Sequence, residues 1–302
     1  MISNVPTANS LLEAGKECFN LAWEMVCDLV GDLKRANDWY GVEADQKTKF
    51  WLAARRQLLT ALTIVQQGVE LSLKGKIAEV SPYLLLTNFE KEAKAEGKDY
   101  SEFFTITEQN LVKACNCVSS TPFNQDFSTK YEDFRKLRNK VMHVESSEYK
   151  SEEALIQLTN DIISYQLYMV GKLFPSEFWT DMRLNHILNS TQTILSEEPD
   201  CRLDLCLEMD AMIEFLNDDI VKTYFHVDKT GDSYYCPYCY EHCSNNNDEF
   251  QDVKLAYLMS NTELYCPVCN KSYNIHPGTG NCCDDNKVCG ELCVNCGSQD
   301  QD

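Results

Sequence analysis

Residues 46–78, QKTKFWLAARRQLLTALTIVQQGVELSLKGKIA, decide the fold class of the chain. Leu58, Leu62, Val65, Val69, Leu73 and Ile77 recur at three- and four-residue steps, which puts them on one face of an α-helix. Pro82 lies just beyond that stripe, where a helix would stop. Glu70 and Lys74 stand four apart in the favourable order, and the simplest expectation is a helix-supporting ion pair.

The same period runs outward on both sides. Residues 8–33 carry Leu12, Phe19, Ala22, Val26, Leu29 and Leu33; residues 151–174 carry Leu155, Leu158, Ile162, Tyr165, Met169 and Leu173 before Pro175. Ser151 with Glu152 and Glu153 gives an acidic first turn suited to a helix N-terminus. A charged helix is expected at 127–142, capped by Ser128 or Thr129, with shorter ones at 88–96, 107–117 and 176–190 and another at 204–224. Trp23, Phe50 and Trp51 read as core. No alternating strand pattern precedes about residue 250. The expected fold is mainly α: a helical domain at 1–175, a helical extension at 176–230, and a cysteine-rich domain with short β strands at 231–302.

Composition separates these parts. The 302 residues are 44% apolar, enough for a sizeable core, and carry a net charge of −20 with 16 cysteines. Residues 1–175 hold 20 Lys and Arg against 24 Asp and Glu, a net of −4; residues 176–302 hold 7 against 23, a net of −16. Ten of the cysteines fall between Cys236 and Cys296. No apolar run reaches the roughly 18 residues a membrane span needs. The N-terminal MISNVPTANSLLEAGKE lacks a basic segment before an apolar one, so the expected location is the cytoplasm.

In the cysteine-rich part, Cys236-Pro-Tyr-Cys239 is followed, after 26 intervening residues, by Cys266-Pro-Val-Cys269. Each pair puts two thiolates on one tight turn, and two such turns supply the four soft ligands of a tetrahedral zinc. Candidate strands at 253–259 and 263–266 complete a zinc ribbon. Disulfides are the alternative, but a reducing compartment disfavours them. A second zinc set is drawn from Cys289, Cys293 and Cys296 with Cys283 or Cys282. Cys243, His242 and His276 are spare donors. Four thiolates close the coordination sphere, so both zincs are expected to be structural. The remaining cysteines, Cys18, Cys27, Cys115, Cys117, Cys201 and Cys206, read as buried or incidental thiols. The acidity of this region disfavours nucleic acid as its ligand and suits a protein partner or inhibitor.

The densest basic stretch is YEDFRKLRNKVMHVE (131–145) with the preceding Lys130: Lys130, Arg135, Lys136, Arg138 and Lys140 stand against Glu132 and Asp133. A positive spot of this kind would attract phosphate. Arg138 and His143 are five residues apart, about 140° around a regular helix, so they converge only where the helix ends or loosens near Met142. The bland reading makes Arg138 a surface partner of Glu132 or Asp133 and His143 a cation at a helix C-terminus.

Arg138-Asn139-x3-His143 resembles the R-x4-6-H motif of HEPN-domain ribonucleases, and the order of helices over about 8–175 is similar to theirs. The resemblance implies a metal-independent endoribonuclease, a toxin or anti-phage defence effector. It would act on RNA as a homodimer whose two motifs meet in a composite site. Arg138, Asn139 and His143 would be catalytic, with Arg135, Lys136 and Lys140 binding RNA. Many toxin members carry a tyrosine two residues after the histidine; here that residue is Glu145, so the chemistry of a nucleotide-modified tyrosine is not implied. The alternative is a non-catalytic HEPN and zinc-ribbon module that binds protein or RNA.

Overall fold

The computed structural model describes residues 2–87, 98–143, 149–195, 200–243, 253–278, 282–283 and 286–298, with Met142, His143 and Gln192 described for their backbone alone. It is mainly helical, with short antiparallel strands near the C-terminus. Two compact units divide the chain: residues 1–26 with 44–175, and residues 27–43 with 176–302. The extension and the cysteine-rich segment thus share one unit. Among the described residues no helix is long and apolar enough to cross a membrane.

In the first unit, α1 (Ala8–Tyr40) contributes its first half and α2 (Ala44–Ala78) runs the length predicted by its stripe. Leu58, Leu62, Val65, Val69, Leu73 and Ile77 are all fully buried. The two helices touch along small residues. A Cβ at Gly68 would stand 3.1 Å from the Gly15 carbonyl oxygen, and one at Gly15 would fall 2.2 Å from Ser72 Oγ. Glycine is therefore required here by contact, not by backbone conformation. A short α3 (Glu108–Val118) follows, then α4 (Gln125–His143) and α5 (Glu152–Leu173). Ser151 caps α5 as expected, its Oγ accepting from the Ala154 amide. The cap of α4 differs from expectation: Asn124 Oδ1 accepts from the Phe127 amide at 3.0 Å, one turn before Ser128 and Thr129. Asparagine is as good an N-cap as serine, and the earlier one wins because Phe127 is thereby placed in the core. The helix anticipated at 88–96 lies outside the described residues.

The second unit holds α6 (Trp179–Leu188), α7 (Thr191–Leu195), α8 (Cys201–Phe215) and α9 (Asp218–Phe225). The single helix expected over 204–224 is two. Leu216 leaves the helix at ψ 151°, and Asn217 with Asp218 and Asp219 starts a new one. Short polar side chains at that point favour a cap over helix interior. Lys229 Nζ then donates to the Leu216 and Glu214 carbonyls at the end of α8, a use of a cation at a helix C-terminus. Arg183, almost fully buried, clasps Glu208 with Nε and Nη2 at 2.9 and 2.7 Å and ties α6 to α8.

Beyond α9, β1 (Ser233–Tyr234) leads into a short helix, α10 (Pro237–Cys243). The tight turn expected at Cys236–Cys239 thus continues as a helix, which proline at a first helical position favours. The strands β2 (Ala256–Ser260), β3 (Glu263–Cys266) and β4 (Lys271–Asn274) pair with β1 in the antiparallel order β1-β2-β3-β4. A smaller sheet joins β5 (His276–Pro277), β6 (Lys287–Cys289) and β7 (Leu292–Cys293).

Candidate functional site

The face of α4 that enters the core is Phe127, Tyr131 and Phe134, with Phe134 stacked on Tyr165 of α5 at a ring separation of 3.7 Å. Arg135 and Arg138 continue that face, so helical spacing aims both guanidiniums inward. Their partners come from elsewhere in the chain. Arg138 Nη2 donates to Glu70 Oε1 of α2 at 3.1 Å and to Glu108 Oε2 at the start of α3. Arg135 Nε and Nη2 clasp Glu132 at 2.9 and 2.7 Å, and its Nη1 reaches Glu108 Oε1 at 3.3 Å. Behind them, Tyr165 Oη donates to Gln66 Oε1, and Gln66 Nε2 to Glu70 Oε1 at 3.2 Å.

This network overturns two expectations. Glu70 pairs with Arg138 instead of Lys74, and Arg138 turns inward instead of to Glu132 or Asp133. The positive spot is also largely cancelled at the arginines, because two guanidiniums face three carboxylates. Arg135 is only 8% exposed, so it holds the helix in place and is a poor candidate to meet RNA. Lys136 and Lys140 are exposed, and Lys136 lies 3.8 Å from Asp133. Asn139 is half-buried. His143 is the last residue of α4, which stays helical up to it; its side chain, like Glu145, lies outside the described residues.

The carboxylates are held differently. Burial raises the Glu70 carboxyl above its usual range, and Gln66 and Arg138 only partly offset this. Burial acts on Glu108 in the same sense, but the two guanidiniums outweigh it and hold that carboxyl low. The hydrogen bond from Arg135 holds Glu132 low as well. Glu108 was not anticipated. An acid in the first turn of a helix is normally explained by the helix dipole alone.

Two groups of four cysteines are positioned to hold metal ions. In the first, Cys236, Cys239, Cys266 and Cys269 converge with Cys236–Cys269 and Cys239–Cys266 sulfur separations of 3.6 and 3.9 Å. The second is Cys282, Cys283, Cys293 and Cys296, with Cys282–Cys283 and Cys283–Cys293 at 3.9 and 3.6 Å. A disulfide needs sulfurs about 2.05 Å apart, so neither group is bridged. Cys289 was expected in the second group, with Cys282 and Cys283 as alternatives. Both of those belong to it, and Cys289 does not. Cys289 pairs with Leu292 across a two-residue turn at Gly290 (φ +63°), and the cysteine that follows the turn, Cys293, takes the ligand position. In two of the knuckles the residue after the second cysteine is left-handed, Asn270 at φ +51° and Gly297 at φ +76°. Asparagine and glycine are the residues that tolerate this.

Of the spare donors, His242 and His276 are exposed and Cys243 is buried; all three lie outside both groups. Cys243 instead ends α10, which packs against α8, the helix that carries the fully buried Cys206. Arg202, four residues earlier on that helix, places its guanidinium 4.9 Å from the Tyr238 ring of the first knuckle. Neither Cys206 nor Arg202 carries a sequence signal linking it to the knuckles. No protein-family model, curated protein or solved structure matches the chain.

Proposed function

We propose that the chain is a metal-independent endoribonuclease of the HEPN type, with cleavage carried out by the helical unit and zinc confined to the cysteine clusters. The observation that supports it is the setting of Arg138. Its guanidinium is fixed by carboxylates from two other helices, keeps 22% exposure, and precedes by five residues a histidine that ends α4. A fixed, partly open guanidinium is what a developing phosphorane charge requires.

In this reading His143 takes the proton of the ribose 2′-hydroxyl as that oxygen attacks phosphorus. The bond to the 5′-oxygen breaks, and a second proton carrier protonates the leaving oxygen. The products are a 2′,3′-cyclic phosphate and a 5′-hydroxyl. One motif offers one histidine, so the second carrier comes from the motif of a second copy in a homodimer. Asn139 orients the histidine or the phosphate, and Lys136 and Lys140 approach the RNA backbone. A toxin or anti-phage role in the cytoplasm follows from the resemblance.

The cysteine groups fit zinc. Tetrahedral Zn–S bonds of about 2.3 Å place sulfurs about 3.8 Å apart, against the observed 3.6 and 3.9 Å. Closed four-thiolate sites hold structure and leave no position for water.

A second reading has its own observation. Three carboxylates around Arg135 and Arg138 repel a phosphate, which favours a non-catalytic module that binds a protein partner. An RNA-cleavage assay without added divalent cations separates the two. Arg138→Ala and His143→Ala should each lower cleavage by at least about 100-fold, the scale of one lost proton-transfer or charge-stabilising group, while leaving the oligomeric state unchanged. Parent-like cleavage by both variants removes the nuclease reading.

A further inference from the structure

The two cysteine groups differ in what surrounds their sulfurs. Around the first, Cys236, Cys239 and Cys266 are buried and Cys269 half-buried. The phenol of Tyr273, on β4, lies 3.3 Å from Cys269 Sγ, where its one proton can be donated, and its oxygen lies 3.7 Å from Cys236 Sγ. Arg202 of α8 brings a positive charge beside the first knuckle. The same guanidinium lies 4.9 Å from the Tyr238 ring, and Lys271 Nζ lies 3.9 Å from that ring. A divalent ion with four thiolates carries a net charge of about −2, and hydrogen-bond donors and cations beside the sulfurs offset it. These side chains come from α8, from the first knuckle and from β4, so loss of the metal would disturb three elements.

Around the second group the setting is more open. Cys282 and Cys296 are exposed and Cys283 is half-buried, leaving Cys293 alone fully covered. The described donors are neutral: the Asn295 amide to Cys283 at 3.6 Å and the Ser298 hydroxyl beside Cys296 at 3.0 Å. Lys254 reaches the Asn295 oxygen at 3.4 Å, not a sulfur. Two ligands, Cys282 and Cys283, are adjacent in sequence. Neighbouring side chains diverge in extended backbone, so both can face one ion only where the chain bends, and the backbone does bend at these residues. The supporting strands are two and three residues long.

From this contrast we infer that the two groups hold zinc with unequal tenacity: Cys236, Cys239, Cys266 and Cys269 form a permanent centre secured by Tyr273 and Arg202, while Cys282, Cys283, Cys293 and Cys296 form a site that exchanges its metal with solution. The second site would then report the free thiophilic-metal level or yield its ion to a competing ligand, with the first holding the fold meanwhile. This does not depend on the nuclease reading.

The test is metal transfer from the zinc-loaded full chain to a chromophoric chelator, 4-(2-pyridylazo)resorcinol. Two phases of one equivalent each are expected, with rates separated by at least about 10-fold, the effect of a lost outer-shell partner. Cys296→Ser should remove the fast phase alone. Tyr273→Phe, which deletes a hydroxyl and keeps the ring, should speed the slow phase by about 10-fold and leave the fast one unchanged. Cobalt(II) gives a second readout. After partial chelation the retained equivalent should keep a tetrathiolate charge-transfer band, unaltered by Cys282→Ser. A single phase, a fast phase that survives Cys296→Ser, or a slow phase indifferent to Tyr273→Phe overturns the inference.

Discussion

Around the first cysteine quartet the chemistry is mostly local. Two knuckles of four residues each bring their own ligands, and β2 and β3 bring the knuckles together. Around Arg138 little is local: Glu108 stands 30 residues away and Glu70 68 residues away. The first arrangement is specified by spacing, because a turn of two intervening residues fixes where two sulfurs point. The second is specified by packing, because carboxylates meet a guanidinium only after three helices have found their register. A motif built of soft ligands on tight turns therefore declares its geometry early. A motif built of charges on helices acquires its meaning from side chains it does not contain.

The largest effect should come from removing a ligand of the local site. Structural zinc contributes on the order of 10 kcal/mol to small zinc-dependent folds. Cys266→Ser should lower bound zinc by one equivalent and open 233–278 to proteolysis, with zinc content and limited digestion as the measurements. A variant that keeps two equivalents and stays resistant would show that the quartet does not hold the metal.

Next comes the packed site. Arg138→Ala leaves Glu70 and Glu108 facing each other, both mostly shielded from water. Breaking such a pair by removing one partner costs about 3–5 kcal/mol when fully buried, and about 2–3 kcal/mol is expected for this partly exposed one. Urea unfolding measures it. A change below about 0.5 kcal/mol would mean that the network is a surface decoration.

This difference also explains what was legible beforehand. Leu58 to Ile77 on α2 and Leu155 to Leu173 on α5 repeat without interruption, and burial follows the stripe. The first quartet was equally readable, since its four ligands are two copies of one motif. The second was not, because Cys289 stands only four residues before Cys293, an ordinary ligand spacing, while the fold uses the adjacent pair Cys282 and Cys283 and places Cys289 on the strand before the turn at Gly290. Arg138 was identifiable as a charged residue on a basic helix, but its inward aim depends on α4 starting at Asn124 and burying Phe127, Tyr131 and Phe134. Glu108 and Arg202 were invisible because they meet partners distant in the chain, and Tyr273, four residues from Cys269, because a tyrosine at that spacing carries no mark of a contact to sulfur.

The acid limb of stability sharpens the comparison further. Glu108 is held below its usual range in the folded state, so the unfolded chain binds the extra proton. Its contribution is present above the ordinary carboxylate value of about 4.3 and is lost as pH falls through the lower folded value. Glu108→Gln should flatten the decline in stability of the helical unit below about pH 4.5, followed by circular dichroism across pH. An acid limb as steep as the parent's would assign the effect to other carboxylates.

Glu70 gives the smallest and most discriminating effect, because its sign is reversed. Burial lifts its carboxyl above the usual range, so the folded state binds the proton more tightly and this group's contribution falls as pH rises through that range. Glu70→Gln removes an ionised group that burial penalises and also removes one of the two carboxylates on Arg138. The two changes oppose, and a net shift under about 1 kcal/mol at pH 7 is expected. Combining Glu70→Gln with Arg138→Ala tells whether the pair acts as a unit. If it does, Arg138→Ala costs less in the Glu70→Gln background, because the orphaned charge is already gone. Additive costs would mean that Glu108 alone holds Arg138, with Glu70 a neighbour whose carboxyl is raised by burial and nothing more.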